Sequence, residues 1–400
     1  MEKIQNGGIV AAAGFRVGAS RCGLKTAEGE PDVALIVSEG PASTAGTFTT
    51  NKFAAAAVRW NRQRLPSADI RAVVVNSGNA NACTGPQGEA DVGSCAELVA
   101  ELVGCAPEQV CVASTGIIGH PLPMDKLKAG IRQAHAGLGA DAEAGRSAER
   151  AIMTTDTRPK ACAVRSEIRG MAFHVGGMAK GAGMIAPHMA TMLAFVTTDA
   201  IVPVHLLHQS LRTLVDRTFN RITVDGDSST NDTVLVLAGG ASGAEVTADG
   251  AGLAEFEEAL QAVLADLAIQ IVRDGEGASV LIEVQVSGAA DEADAAKVAR
   301  AVAESQLVKC AIHGRDPNWG RIVCAAGYSG AQTVPELCSI HIGNTCVLDK
   351  GRPTGLDATG EIQGEEAVIR LSLGLGAGEA TIWTCDLTEE YVRINSRYHT

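Results

Sequence analysis

The sequence predicts an α/β protein with more than one domain, on three observations. The chain has 400 residues, longer than one ordinary core. Short apolar, β-prone runs alternate along it with stretches of helical spacing. Hydrophobic residues make up 46% of the chain but aromatics only 3%, so the interior must be built from Ala, Val, Leu and Ile.

Residues 8–85 read as β-rich: DVALIVSE, AGTFTTN, AAVRWN and RAVVVNSG are apolar runs bounded by Gly, Pro, Asn and Ser. The last runs into NSGNANACTG, a loop dense in turn formers. A helix is expected over Glu89–Val103, where Val92, Cys95, Leu98, Val99 and Leu102 fall close to helical spacing. Val110–Pro123 reads as a strand ending in Ser114-Thr115-Gly116. Glycine after a strand end leaves backbone N–H groups exposed and Thr115 adds a hydroxyl, the donors a tetrahedral oxyanion needs. Turns of this composition are common, so the tripeptide alone is weak evidence.

Helices are expected over Met124–Leu138, Ser147–Ile152, Val204–Arg221, Gly252–Val272 and Glu292–Val308. The third is followed by the acidic, hydroxyl-rich loop ITVDGDSSTND. Its Asp225, Asp227, Asn231 and Asp232 lack the closing glutamate of a calcium loop, so no metal is expected. The stretch DPNWG is expected to hold a turn beside the site. Short strands (CSIHIG, AVIRLSLGLG, ATIWTCDLT) close the chain.

Charge and cysteine usage exclude several classes. A net charge of -13 argues against nucleic acid and anionic membranes as partners. The 11 cysteines are odd in number and form no CxxC pair, which argues against a disulfide framework or a zinc site and for a reducing cytoplasm. No apolar run is as long as a membrane span, and the start, MEKIQNGGIVAAAGF, does not read as a signal peptide. Neither a GxGxxG fingerprint after a strand nor a P-loop is present: Lys180 precedes its glycine, the reverse of the P-loop order.

The central stretch is KGAGMIAPHMATMLAFVTTDA, Lys180 to Ala200. Gly181 and Gly183 loosen a turn, Pro187 fixes its direction, and Ala190-Thr191 opens a buried, β-prone run from Met192 to Val196. A hydroxyl there can reach the carbonyl just before it. If that peptide bond breaks, Thr191 carries both a nucleophile and, in its own α-amine, a base. Most threonines that open a strand serve only β-propensity.

KGxGMIxPxMATML resembles the self-cleavage segment of the ornithine acetyltransferase / glutamate N-acetyltransferase family of arginine biosynthesis. NSGNANACTG, VCVASTGIIGHPLP, MTTDTRPK and KCAIHGRDPNWGRI are similar to further stretches of that family, so the resemblance runs from about Gly8 to Thr400. It implies cleavage between Ala190 and Thr191, with Thr191 as nucleophile and Thr115 and Gly116 as oxyanion hole. It implies substrate contacts at Thr154 (with Thr155 a near alternative), Lys180, Thr191, Glu276, Asn395 and Thr400. Glu276 would meet the substrate amine, and the C-terminal tail would be tied down at the site.

The resemblance also implies a fold of stacked mixed β-sheets flanked by helices, with a smaller C-terminal α/β domain. The expected division is 1–190 as the first fragment, 191–281 completing the catalytic core, and 282–400 as the C-terminal domain. The implied activity is acetyl transfer from N2-acetylornithine to glutamate through acetyl-Thr191, without a cofactor. Whether acetyl-CoA is also a donor is left open. The implied assembly is two copies of each fragment. Two other classes stand beside this one: a self-cleaving amidase or aminopeptidase with water as acceptor, and a non-catalytic protein of the same fold.

Overall fold

The computed structural model describes residues 1–25, 29–186 and 192–397. A large sheet is built from β1 (Glu2–Lys3), β2 (Phe15–Ser20), β3 (Val33–Phe48), β4 (Ser67–Asn79), β5 (Val110–Ile117), β6 (Lys160–Ile168), β7 (Met171–Lys180), β8 (Leu193–Thr198) and β9 (Thr233–Ala238). Its order is β1-β6-β7-β8-β9-β3-β4-β5, with β2 added beside β3. The sheet is mixed: β4–β5 and β8–β9 are parallel pairs, the rest antiparallel.

One strand joins the two halves of this sheet. The first part of β3, Val33–Ser38, pairs with β2; the last part, Ser43–Phe48, pairs with β9. The register against β4 shifts between Val37 and Ala42, where Gly40 and Pro41 interrupt the run. The two runs read separately in the sequence, DVALIVSE and AGTFTTN, are therefore one strand that passes from one half to the other.

Side-chain alternation then makes a sandwich. Leu193 and Phe195 of β8, Leu235 and Leu237 of β9, and Val73 and Val75 of β4 share one core between the halves. The alternate residues point outward. Ala194, Val196, Val234 and Val236 pack under helices Val204–Arg217 and Leu253–Arg273, through Leu211, Leu260, Val263 and Leu264. Ala72, Val74, Val110 and Val112 pack under helices Gly85–Val103 and Met124–Ala136, through Val92, Val99, Leu127 and Ile131. Because both faces of the strands are covered, they read as continuous apolar runs. Helix, sheet, sheet and helix form four layers.

A second α/β unit begins at β10 (Leu281–Ala289). It continues with β11 (Ser339–Ile342), β12 (Thr345–Asp349), β13 (Arg352–Pro353), β14 (Glu366–Ser372) and β15 (Gly378–Cys385). These form a six-stranded sheet in the order β13-β12-β11-β14-β10-β15, with its own aliphatic core. Thr223 N–H donates to the Trp383 carbonyl at 3.0 Å, tying this sheet to the sandwich.

Three expectations are corrected. AAVRWN is not a strand but part of helix Ala56–Arg62, which buries Ala57, Val58 and Asn61 on one face. That helix covers β5, the edge of the large sheet, and Asn61 stands in for the missing neighbouring strand. Its Nδ2 donates to the Val112 carbonyl at 2.7 Å and its Oδ1 accepts from Val112 N–H at 3.0 Å. The expected helix over Glu292–Val308 is two, Glu292–Glu304 and Gln306–His313, because the Ser305 hydroxyl accepts from Val308 N–H and caps the second. The chain also ends its described part in a helix, Glu389–Asn395, capped by Thr388.

Replacing Asn61 with Ala leaves a buried N–H and C=O unpaired. Asn61→Ala is expected to lower stability by about 2 kcal/mol or more, read as a lower midpoint in urea denaturation.

Candidate functional site

β5 and β7 end, and β9 begins, at the same end of the sandwich. Strands feed the pocket there from both halves. It is lined by Thr115, Gly116, Thr154, Thr155, Lys180, Gly183, Ser229, Thr230, Asn231 and Glu276, with Asn395 from the C-terminal helix. It encloses about 580 Å³, its open mouth included.

Thr115 and Gly116 are held by a backbone approach only glycine permits. β4 and β5 pair in register at Ser77 with Thr115 and at Gly78 with Gly116. Gly116 has φ +134°, and a Cβ there would lie 2.3 Å from the Gly78 carbonyl carbon. The NSGNAN loop supplies the rest of the support. The Ser114 hydroxyl donates to Asn76 Oδ1 at 2.7 Å, and Asn76 Nδ2 donates to the Asn79 carbonyl at 2.8 Å. Asn231 reaches across from the loop before β9 and donates to the carbonyls of Ala80 (2.6 Å) and Ser114 (2.8 Å). The sequence showed Asn231 only as an unconvincing metal ligand. Its work is to lace two loops together, a long-range pairing with no local signature.

Lys180 is only 2% exposed, yet among the described residues it has no carboxylate within ion-pair distance. Its Nζ donates to Thr115 Oγ1 at a long 3.5 Å. Burial lowers the pKa of Lys180; Asp156, Asp232 and Glu276 oppose that, while Lys160 adds to it. Beneath it lies a buried charged cluster that sequence reasoning missed. Lys160 Nζ bridges Asp156 (2.6 Å) and Asp274 (2.5 Å). Burial alone would raise the Asp156 carboxyl, but Lys180, Lys160 and the Gly181 N–H bring it down to about 2. Asp232, fully buried, is raised well above the ordinary carboxylate range by burial. Its Oδ1 accepts from Met192 N–H at 3.1 Å, and its Oδ2 has no partner among the described residues.

Glu276 lies against the glycine turn after Lys180. Its N–H donates to the Ala182 carbonyl at 2.8 Å, and a Cβ on Gly183 would meet its carboxylate at 2.4–2.5 Å. The C-terminal helix closes over it: Asn395 Nδ2 donates to Glu276 Oε2 at 2.7 Å, and the Tyr391 hydroxyl donates to Asp225 Oδ2 at 3.3 Å. Asp225 otherwise accepts from the N–H groups of Met184 (2.6 Å) and Ile185 (2.9 Å). The acidic loop thus clamps the glycine turn.

The structure brings together Thr115, Gly116, Thr154, Lys180, Glu276 and Asn395, although they span most of the chain. Ala190, Thr191 and Thr400 lie outside the described residues. The DPNWG stretch does not line this pocket. Trp319 is half-buried and packs against the core of the second unit instead.

The fold and pocket define an α/β enzyme site of polar, charge-bearing character. The ArgJ family model matches residues 16–400, and the chain belongs to the ArgJ family. A relative from Symbiobacterium thermophilum, an arginine biosynthesis bifunctional protein ArgJ, is 50% identical over 98% of this chain and 99% of its own length. The same-named protein of Thermosynechococcus vestitus is 47% identical over 98% of each. A crystal structure of the Bacillus halodurans protein of that name is 47% identical, with a TM-score of 0.50, and matches 51% of this chain and 98% of that one. Among the described residues, no helix is long and apolar enough to cross a membrane.

Gly116→Ala inserts a methyl group into the Gly78 backbone. If the Gly116 N–H is an oxyanion donor, as the family resemblance implies, displacing it is expected to lower turnover by roughly 10²–10³ in a protein that still shows a folded circular dichroism spectrum.

Proposed function

We propose that this chain is a glutamate N-acetyltransferase of arginine biosynthesis that moves an acetyl group from N2-acetylornithine to glutamate through Thr191. The observation that carries the reading is the meeting, in one pocket, of the Thr115-Gly116 strand end with a cation and a carboxylate, Lys180 and Glu276. Family membership supports it independently.

The chain first cuts itself. Thr191 Oγ attacks the Ala190 carbonyl, the peptide nitrogen leaves as the new α-amine, and water hydrolyses the resulting ester. In the mature enzyme that α-amine takes the Thr191 hydroxyl proton as Oγ attacks the acetyl carbonyl. An ordinary α-amine titrates at about 7.7–8.0, close to working pH. Gly116 N–H and the Thr115 hydroxyl receive the oxyanion. Ornithine leaves with a proton on its α-nitrogen; glutamate enters and takes the acetyl group, which restores the threonine. This is a ping-pong cycle without a cofactor. The Bacillus halodurans chain, nearly all of it matched by about half of this one, has the length a chain cut near its middle would give. The two fragments assemble as two copies of each. Acetyl-CoA is the second donor that the relatives' bifunctional name supports.

Ornithine and glutamate share an α-carboxylate and differ in the charge of their tails. Lys180 answers the shared carboxylate. Glu276, with Asn395, Thr154 and Thr400, answers the nitrogen-bearing groups. A hydrolase using water as acceptor has no need of this pair of opposite charges, which disfavours the amidase reading.

Active protein is expected to run on denaturing gels as two fragments, residues 1–190 and 191–400, and Thr191→Ala as one inactive chain. An intact chain in active protein, or normal cutting of Thr191→Ala, would contradict the scheme. Glu276→Gln is expected to weaken acetylornithine and ornithine by roughly 10- to 150-fold, the worth of a charge-assisted hydrogen bond, and glutamate by less. Separate KM and inhibition constants for the three compounds check this; equal losses would make Glu276 structural.

A further inference from the structure

The acetyl-transfer reading assigns Asp156 itself no contact with substrate, yet Asp156 holds the backbone at or beside two residues that the reading does assign. It sits in the turn between helix Ala142–Ile152 and β6, and its side chain is fully buried. Oδ2 accepts from Thr154 N–H at 3.0 Å. Oδ1 accepts from Gly181 N–H, the residue after Lys180, at 2.7 Å, and from Lys160 Nζ at 2.6 Å. Thr154 and Lys180 line the pocket from different segments, and one carboxylate fixes the backbone beside both.

We propose that Asp156 is a positioning residue: it sets Thr154 and Lys180 in register with each other and supplies the negative charge that keeps the Lys180 ammonium charged for a substrate carboxylate. The inference rests on the proposed function only in taking Lys180 as the carboxylate's partner.

The charges around Lys180 define the sign of every test. Asp156 approaches it from the turn before β6, Asp232 from the loop before β9, and Glu276 from the loop after helix Leu253–Arg273; all three favour the charged form. Lys160 of β6 disfavours it, and Lys25, from the loop after β2, is a further like charge that interacts with Lys180. Asp156 lies beyond ion-pair contact with Lys180, so it acts through space, and both side chains are buried, where charges are less screened than in water. Lys160 divides its own charge between Asp156 and Asp274. Removing Asp156 therefore leaves Lys160 paired but Lys180 facing it with less opposition. Removing Lys160 does the reverse: Asp156 then serves Lys180 alone, and Asp274 keeps Thr157 and the nearby Arg158.

The test is the pH dependence of kcat and of KM for N-acetylornithine, whose α-carboxylate stays ionised throughout, in wild type, Asp156→Asn and Lys160→Met. In wild type, binding should weaken on the alkaline side as Lys180 loses its proton. In Asp156→Asn, that limb should move to lower pH by about one unit or more, the effect of losing an opposite charge nearby, with KM raised and kcat changed less than about threefold. In Lys160→Met, the limb should move to higher pH. General damage to the fold cannot move the two limbs in opposite directions. If Asp156→Asn does not fold, Asp156→Glu, which keeps the charge but shifts the carboxylate off the Thr154 and Gly181 N–H groups, is read instead: a limb near its wild-type pH with a raised KM supports the inference, and an unchanged KM overturns it. Limbs that stay in place, limbs that move the same way, or a loss confined to kcat would overturn it. A wild type unable to transfer acetyl from acetylornithine would instead overturn the functional reading, before any variant is compared.

Discussion

The site depends on keeping two ammonium groups charged inside an aliphatic sandwich. Lys160 and Lys180 are 1% and 2% exposed, in a chain whose apolar core is mostly Ala, Val, Leu and Ile. Charges so placed persist only when opposite charge and hydrogen bonds replace the lost water. Lys160 is satisfied in contact by Asp156 and Asp274. Lys180 has no contacting carboxylate among the described residues, and the proposed function gives it that of the substrate.

The folding of the large sheet explains why the pocket lies where it does. β3 crosses from one half of the sandwich to the other, so the C-terminal end of β5 and that of β7 arrive at the same place from opposite layers. Thr115 and Gly116 come from one layer and Lys180 from the other. Glu276 and the C-terminal helix then close the remaining side, and the Asp225 loop pins the glycine turn between them.

Much of this was legible in the sequence. The alternation of apolar runs marked the α/β class and most helices. The long motifs marked Thr115, Gly116, Thr154, Lys180, Glu276 and Asn395, which the pocket unites. What stayed hidden depends on contacts distant in sequence. AAVRWN reads as a strand until Asn61 is seen bonding Val112. Asn231 and Asp156 are ordinary loop polar residues by composition, and only their partners, Ser114 for one and Gly181 and Lys160 for the other, reveal what they do. Ser305 breaks a continuous helical pattern through a single cap that spacing alone does not weigh.

The claim at the centre of this account is an acetyl group carried on Thr191. The most direct measurement is to mix the protein with N-acetylornithine whose acetyl group is isotopically labelled, omit glutamate, quench in acid and map the label by mass spectrometry. The account predicts label on the fragment that begins TMLAFV, at its first residue, with one ornithine released per acetyl bound and the label discharged to acetylglutamate when glutamate is added. Label on another residue, or ornithine released with the acetyl group going only to acetate, would contradict it.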